Sequence, residues 1–257
     1  MRNFSIVLLL GCFAFSSCAK ELEPTPPTPE PATPTTLNQG LLLYLPFDGN
    51  LADSSGGGNN GTGFGSITYG NNRYFEPGKS VALNGTNSHI EIPGTKFDTL
   101  SNFTIYLEFI PYSTASMSLF SRALFAPTTT NTRQSFNLMI NYGGGTRFQM
   151  KKPGNCDNTN TATAFGNDVL GYGLPSINGW NYVAITFNGS TIRSYLNGNL
   201  VGTDNQPGAN FCSNAPLMIG SWWQGDPYYF NGRIDEVRVY NRALSTAEIT
   251  QLFQLHK

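Results

Sequence analysis

The sequence predicts an all-β fold, a two-sheet antiparallel sandwich finished by one short C-terminal helix. Three observations carry this. Apolar and polar residues alternate in stretch after stretch from Leu37 onward, turn residues recur between the stretches, and only 12% of residues are charged while 28 are glycine. Alternation of period two puts apolar side chains on one face of a strand, the habit of antiparallel sheets with one packed face. Low charge with abundant Gly, Asn, Thr and aromatics fits many short strands joined by tight turns.

The elements follow in order. NFTIYLEFI sets Phe103, Ile105, Leu107 and Phe109 against Thr104, Tyr106 and Glu108. SFNLMINYGGG repeats the pattern with Phe136, Leu138 and Ile140, and NYVAITFNG with Val183, Ile185 and Phe187. YLNGNLVG places Asn197-Gly198 between apolar strands, and a type I′ hairpin turn needs positive φ at both of its central residues. In GRIDEVRVY the inward residues run Val237, Val239, yet Ile234 precedes Val237 by three positions. That break in period predicts a β-bulge at Asp235-Glu236. The single helix is last: Ser245 caps it, Glu248 completes a capping box, and Leu244 with Ile249 forms a hydrophobic staple. Ile249, Leu252 and Phe253 give it one apolar stripe for docking on the sandwich.

Residues 1–17 read as a signal peptide. Arg2 supplies a positive start, and Ile6 to Phe15 is apolar but shorter than the ~20 residues a spanning helix needs. FSSCAKE resembles a bacterial lipobox, which implies cleavage before Cys18 and diacylation of its thiol. Phe15 stands where such signals usually carry Leu, so ordinary secretion with an unmodified Cys18 is the alternative. Glu21 and Glu23 after Lys20 resemble the signal that sends lipoproteins to the outer cell surface, which implies a surface-exposed outer-membrane lipoprotein. ELEPTPPTPEPATPTT follows, too rich in proline for sheet or helix, so residues 18–36 form an extended tether and residues 37–257 the folded domain. Cys12 leaves with the signal and Cys18 carries lipid. Cys156 and Cys212 remain, as a disulfide of an exported domain or as two free buried thiols.

A net charge of −1 without a basic excess argues against a nucleic-acid partner, and no charge run marks an anionic-lipid surface. The lipid is then the only link to the membrane. His89 and His256 are the only histidines; His89 reads as a surface residue. No Gly-x-Ser-x-Gly, Cys-x-x-Cys or phosphate-loop pattern occurs. The richest segment is IGSWWQGDPYYFNG, with Trp222, Trp223, Tyr228 and Tyr229 beside Gln224 and Asp226. Flat aromatics stack on sugar C–H faces while amides and carboxylates bond hydroxyls, a lining suited to a ligand. The other reading is a satellite hydrophobic cluster under the loop. Neighbours on an extended segment point opposite ways, so one tryptophan is expected in the core and the other at the ligand.

LLLYLPFDGNLADSSGGGNNGT, KSVALNGTNSHIEIPG, NFTIYLEFI, WNYVAITFNGSTIRSYLNGNLVGT and FNGRIDEVRVYNRALSTAEI occur in the order seen in laminin-G-like jellyroll domains. From Leu41 to about Phe253 the chain resembles this branch of the concanavalin A-like lectin/glucanase superfamily. The resemblance implies a jellyroll, binding of glycans or other surface ligands, and in many members a structural calcium. In the family the first and last strands pair, which would bring Asp53 near Asp235. Together with Asn60 these are the candidate calcium ligands, on a loop whose glycines free carbonyls to turn inward. Alternatively Asp53 forms an Asx-turn and Asp235 caps a backbone amide. Laminarinase-type relatives carry Glu-x-Asp-x-x-Glu on one strand face, whereas the matching place here reads Arg233-Ile234-Asp235-Glu236, without the leading glutamate. No catalytic residue is assigned. The expected function is a non-catalytic, surface-anchored module for a glycan or other extracellular polymer, with a glycosidase or polysaccharide lyase as the alternative and a structural envelope protein third.

Overall fold

The computed structural model describes residues 35–124, 133–142, 145–150, 169–171, 175–206, 208, 215–223 and 227–255. Its strands, numbered in chain order, form two antiparallel sheets. The first runs β13 (Asn199–Asn205), β12 (Thr191–Leu196), β11 (Asn181–Phe187), β6 (Phe103–Pro111), β15 (Asn231–Tyr240), β4 (Ser80–Asn84) and β3 (Thr68–Gly70), and β1 (Leu41–Leu45) also pairs with β15. The second runs β10 (Val169–Gly171), β9 (Gly145–Met150), β8 (Arg133–Tyr142), β7 (Met117–Leu124), β14 (Leu217–Ile219), β5 (His89–Ile92) and β2 (Thr62–Phe64). This is the jellyroll sandwich that the alternation and the resemblance together predict. Cys18, Cys156, Cys212, Gln224 and Asp226 lie outside the described residues.

The alternation sorts the layers. Leu107, Phe109, Val183, Ile185 and Phe187 face Leu119, Leu138, Ile140, Leu217 and Ile219 in one continuous buried core. Each such side chain contributes roughly 1.5–3 kcal/mol on leaving water. Asn197 and Gly198 have φ of 50° and 83°, and Leu196 pairs with Asn199 directly across the two-residue turn. A type I′ geometry matches the twist of the flanking strands.

The break in period within the last strand is real. Asp235 pairs with Glu108 and Arg238 with Tyr106, so three residues of β15 span what two span on β6. Glu236 is the extra residue and takes a left-handed φ of 53°. Ile234 and Val237 therefore both enter the core. Asp235, Arg238 and Tyr240 stand on the outer face of the first sheet.

That outer face receives the helix α1 (Thr246–Gln254). Ser245 Oγ accepts from the Glu248 amide and the Glu248 carboxylate accepts from the Ser245 amide, a complete capping box. Leu244 and Ile249 share a buried cluster with Leu252 and Phe253, packed on Tyr106, Ala184, Tyr195 and Tyr240. Nine residues are too few to hold a helix in water unaided, so cap and packing must both act. Replacing Ser245 with Ala should lower the unfolding free energy in urea by about 1 kcal/mol. An unchanged midpoint would show that packing alone holds the helix.

Candidate functional site

The aromatic segment begins where β14 ends. Gly220 turns the chain with φ +79°, and a Cβ there would lie 2.2 Å from Leu83 Cδ1, so only glycine fits. The Phe230 amide bonds the Gly220 carbonyl at 2.9 Å, closing the loop at its base, while the Phe230 ring is fully buried in the core. Inside the loop, Ser121 Oγ lies 3.0 and 2.8 Å from the carbonyls of Ser221 and Trp222, and Ser221 Oγ donates to the Trp223 carbonyl at 2.6 Å. These bonds bend the chain at the two tryptophans.

The bend changes where the rings go. Trp222 and Trp223 do not diverge: their centroids are 4.5 Å apart at 54°, and Trp222 meets Tyr228 at 6.1 Å. All three are half-buried, so the expected division into one core and one exposed tryptophan is replaced by a single ring cluster. Next to Tyr228, Tyr229 lies 5.8 Å from the ring of His89, which stacks on Phe64 at 4.9 Å and 8°. His89 is not a surface residue. It is 5% exposed, with Nε2 3.1 Å from Glu91 Oε1. Phe64 and His89 extend the aromatic rim across β2 and β5, an addition that alternation on short strands did not reveal. Phe64 remains 39% exposed.

The three candidate calcium ligands are used differently. Asp53 Oδ1 accepts from the amides of Tyr44 and Ser55 and Oδ2 from that of Asn59, at 2.8–3.0 Å. Asn60 Oδ1 accepts from the Asp53 amide at 2.8 Å. Burial works to raise the Asp53 pKa, but these amides outweigh it and hold the carboxyl below its ordinary value. Asp235 bonds the Glu236 amide at 2.9 Å and lines a separate cleft that does not include Asp53. No three His, Cys, Asp or Glu side chains among the described residues converge as metal ligands. As a calcium donor set the three do not fit this arrangement, and the Asx-turn and amide-cap readings describe the contacts found.

That cleft, about 220 Å³, is walled by Tyr44, Asp48, Arg73, Glu108, Asp235 and Glu236 among others. The bulge turns Asp235 and Glu236 into it together, although on a regular strand neighbours would point to opposite faces. Glu236 is held by the Tyr44 hydroxyl at 2.9 Å and by Arg238 at 2.5 Å, and Arg238 stacks over the Tyr44 ring at 4.2 Å. Glu108 takes the Tyr106 hydroxyl at 2.9 Å and Arg73 at 3.3 Å. Burial, with help from Glu236 and Glu108, pushes Asp235 up to about 9. Burial likewise lifts Glu108 to about 7 against the pull of Arg73.

The geometry defines a class: a jellyroll domain with aromatic side chains at one sheet rim and a polar cleft on the opposite sheet. The family follows. Residues 84–250 match the laminin G-like model of the concanavalin A-like lectin/glucanases superfamily, and the chain belongs to it. No curated protein matches in sequence. Among solved structures, the chain is similar to domain 4 of AbnA, a GH43 extracellular arabinanase from Geobacillus stearothermophilus, in complex with arabinotriose. There the TM-score is 0.63 at 22% identity, over 83% of this chain and 98% of that one. The binding domain of Paraclostridial Mosquitocidal Protein 1 gives 0.64 at 19%, over 86% and 53%. The binding domain of botulinum neurotoxin DC in complex with SialylT gives 0.61 at 15%, over 86% and 52%. The chain thus spans about half of the two toxin domains. At these identities the likeness shows the fold.

The two raised carboxyls have a consequence for stability. Their folded pKa values exceed the unfolded ones of 3.8 and 4.5, so their contribution is full below about 4 and is lost as pH climbs through about 7 and then about 9. Asp235→Asn cannot ionise. Its melting temperature relative to wild type should rise steadily from about pH 5 to about pH 9. A difference constant across that range would mean that Asp235 is already ionised at the lower end.

Proposed function

We propose that the chain is a non-catalytic module that holds a glycan at the bacterial cell surface, tethered through a lipidated Cys18 and the spacer 18–36. The observation that carries this is the half-exposed ring cluster of Trp222, Trp223 and Tyr228, continued by Tyr229, His89 and Phe64. A row of flat rings, some still reached by water, suits the C–H faces of successive sugars and leaves hydroxyls open to solvent or to neighbouring amides. Gln224 and Asp226 follow Trp223 closely in the sequence and are assigned to hydroxyl contacts. Domain 4 of AbnA is seen in complex with arabinotriose and the botulinum neurotoxin DC binding domain in complex with SialylT, which supports the class of ligand without naming the sugar. Among the described residues no helix is long and apolar enough to cross a membrane, and the proposed attachment is the lipid.

A glycosidase is the second reading, favoured by the facing carboxyls Glu108 and Asp235 on paired residues of β6 and β15. Against it, Glu108 and Glu236 are already engaged by arginines and tyrosines. Product analysis on any glycan that binds separates the two.

The test is a glycan array followed by titration of the best saccharide. Because the two indoles pack on one another, Trp222→Ala and Trp223→Ala should each weaken binding by ~1–3 kcal/mol, and salt should change it little since few charges lie in the rim. Normal binding by both variants, or a steep salt dependence, would place the site elsewhere.

A further inference from the structure

The cleft on the first sheet is lined by more acids than the side chains around it engage. Four of the five acids that line it are engaged by side chains: Asp48 by Lys79 at 3.1 Å, Glu76 by Asn72 at 2.7 Å, Glu108 by Arg73 and Tyr106, and Glu236 by Arg238 and Tyr44. Asp235 is the exception. It is 4% exposed, and among the described residues its one hydrogen bond comes from the amide of the next residue and no cation pairs with it. Its second oxygen, and the second oxygen of Glu108 directly opposite, have no donor among the described residues. Two buried carboxyls therefore present free acceptors into the same cleft.

The missing partner is a compact cation with several N–H donors. A metal ion is a poor match, because no three acidic, histidine or cysteine side chains among the described residues converge on one point. A primary ammonium has three donors and tolerates such loose geometry. The mouth of the cleft adds Asn72, Tyr74, Glu76 and Lys79, a mix of donors and acceptors of the kind hydroxyls bond. On the same loop Tyr74 is 41% exposed and Phe75 83%, aromatic surface of the sort a sugar face covers.

We propose that this cleft is a second binding site, for an amino sugar whose protonated amine sits between Asp235 and Glu108. It lies on the other sheet from the aromatic rim and does not depend on it. Its volume suits one monosaccharide unit rather than a chain of them. The ring hydroxyls meet Asn72 and Lys79, and the amine supplies the charge that Asp235 lacks.

The experiment titrates the purified full chain with D-glucosamine near pH 7.5, above the value of about 7 for Glu108, following amide resonances by NMR, with N-acetyl-D-glucosamine, D-glucose and lysine amide in parallel. Glucosamine should perturb the Asp235 and Glu236 amides saturably, and acetylation or loss of the amine should abolish the effect. Asp235→Asn and Glu108→Gln, each confirmed folded by its amide spectrum, should weaken glucosamine at least tenfold, while Trp223→Ala leaves it unchanged. Should one of the two carboxyl variants fail to fold, the other decides. Equal binding of N-acetyl-D-glucosamine, full binding by a folded carboxyl variant, or a cleft that takes lysine amide but not glucosamine would each overturn the proposal. Loss of glucosamine binding in Trp223→Ala would move the amine site to the rim.

Discussion

One extra residue in β15 decides which side chains face the core and which face outward. β15 pairs with β1, β4 and β6, so its register is shared by three neighbours, and a slip of one position would exchange the faces of everything beyond it. Glu236 absorbs that position. Before it, Ile234 points inward; after it, Val237 and Val239 do, and Arg238 and Tyr240 remain outside. A left-handed φ at a residue other than glycine costs on the order of 1–3 kcal/mol. The contacts made by Glu236 offset it: its amide meets Asp235, and its carboxylate meets Tyr44 and Arg238.

The outer face that the bulge creates has two halves. Toward β11 and β12 it is apolar and aromatic and is covered by α1, with Tyr106 and Phe253 rings 5.8 Å apart. Toward β4 it is charged and is closed by the loop that carries Arg73. That guanidinium lies 4.8 Å from the rings of both Tyr74 and Tyr182, reaches Glu108, and donates to the carbonyl of Leu255 just past the helix. One side chain thereby ties loop, sheet and helix end. Breaking a buried pair of this kind leaves an uncompensated charge, which costs more than the intact pair contributes, so the arrangement fixes one geometry more than it adds stability.

Much of this was legible in the sequence because it is local. Period-two alternation placed the core residues, Asn197-Gly198 marked the hairpin, Ser245 and Glu248 marked the helix start, and the three-residue step from Ile234 to Val237 marked the bulge. What was not legible depends on partners far away in the chain. Trp222 and Trp223 lie together because Ser121, on another strand, bonds the carbonyls that bend their segment. His89 is buried because Phe64 and Tyr229 close over it. Asp53 does not enter the cleft that Asp235 lines, although β1 and β15 pair as the resemblance implied, because Asp53 turns back onto the amides of its own loop and of Tyr44. The facing of Glu108 and Asp235 needs the register of β6 against β15, which spacing within one strand does not contain.

The central claim is that glycan contact is made by stacking on the rim at Trp222 and Trp223. The chain has three tryptophans, and the third, Trp180, lies just before β11 on the other sheet. Indole N–H resonances therefore report on the claim directly during titration with a saccharide selected by array. The account predicts saturable shifts of the Trp222 and Trp223 signals with Trp180 unmoved. A bound saccharide that leaves both rim indoles unshifted would contradict it.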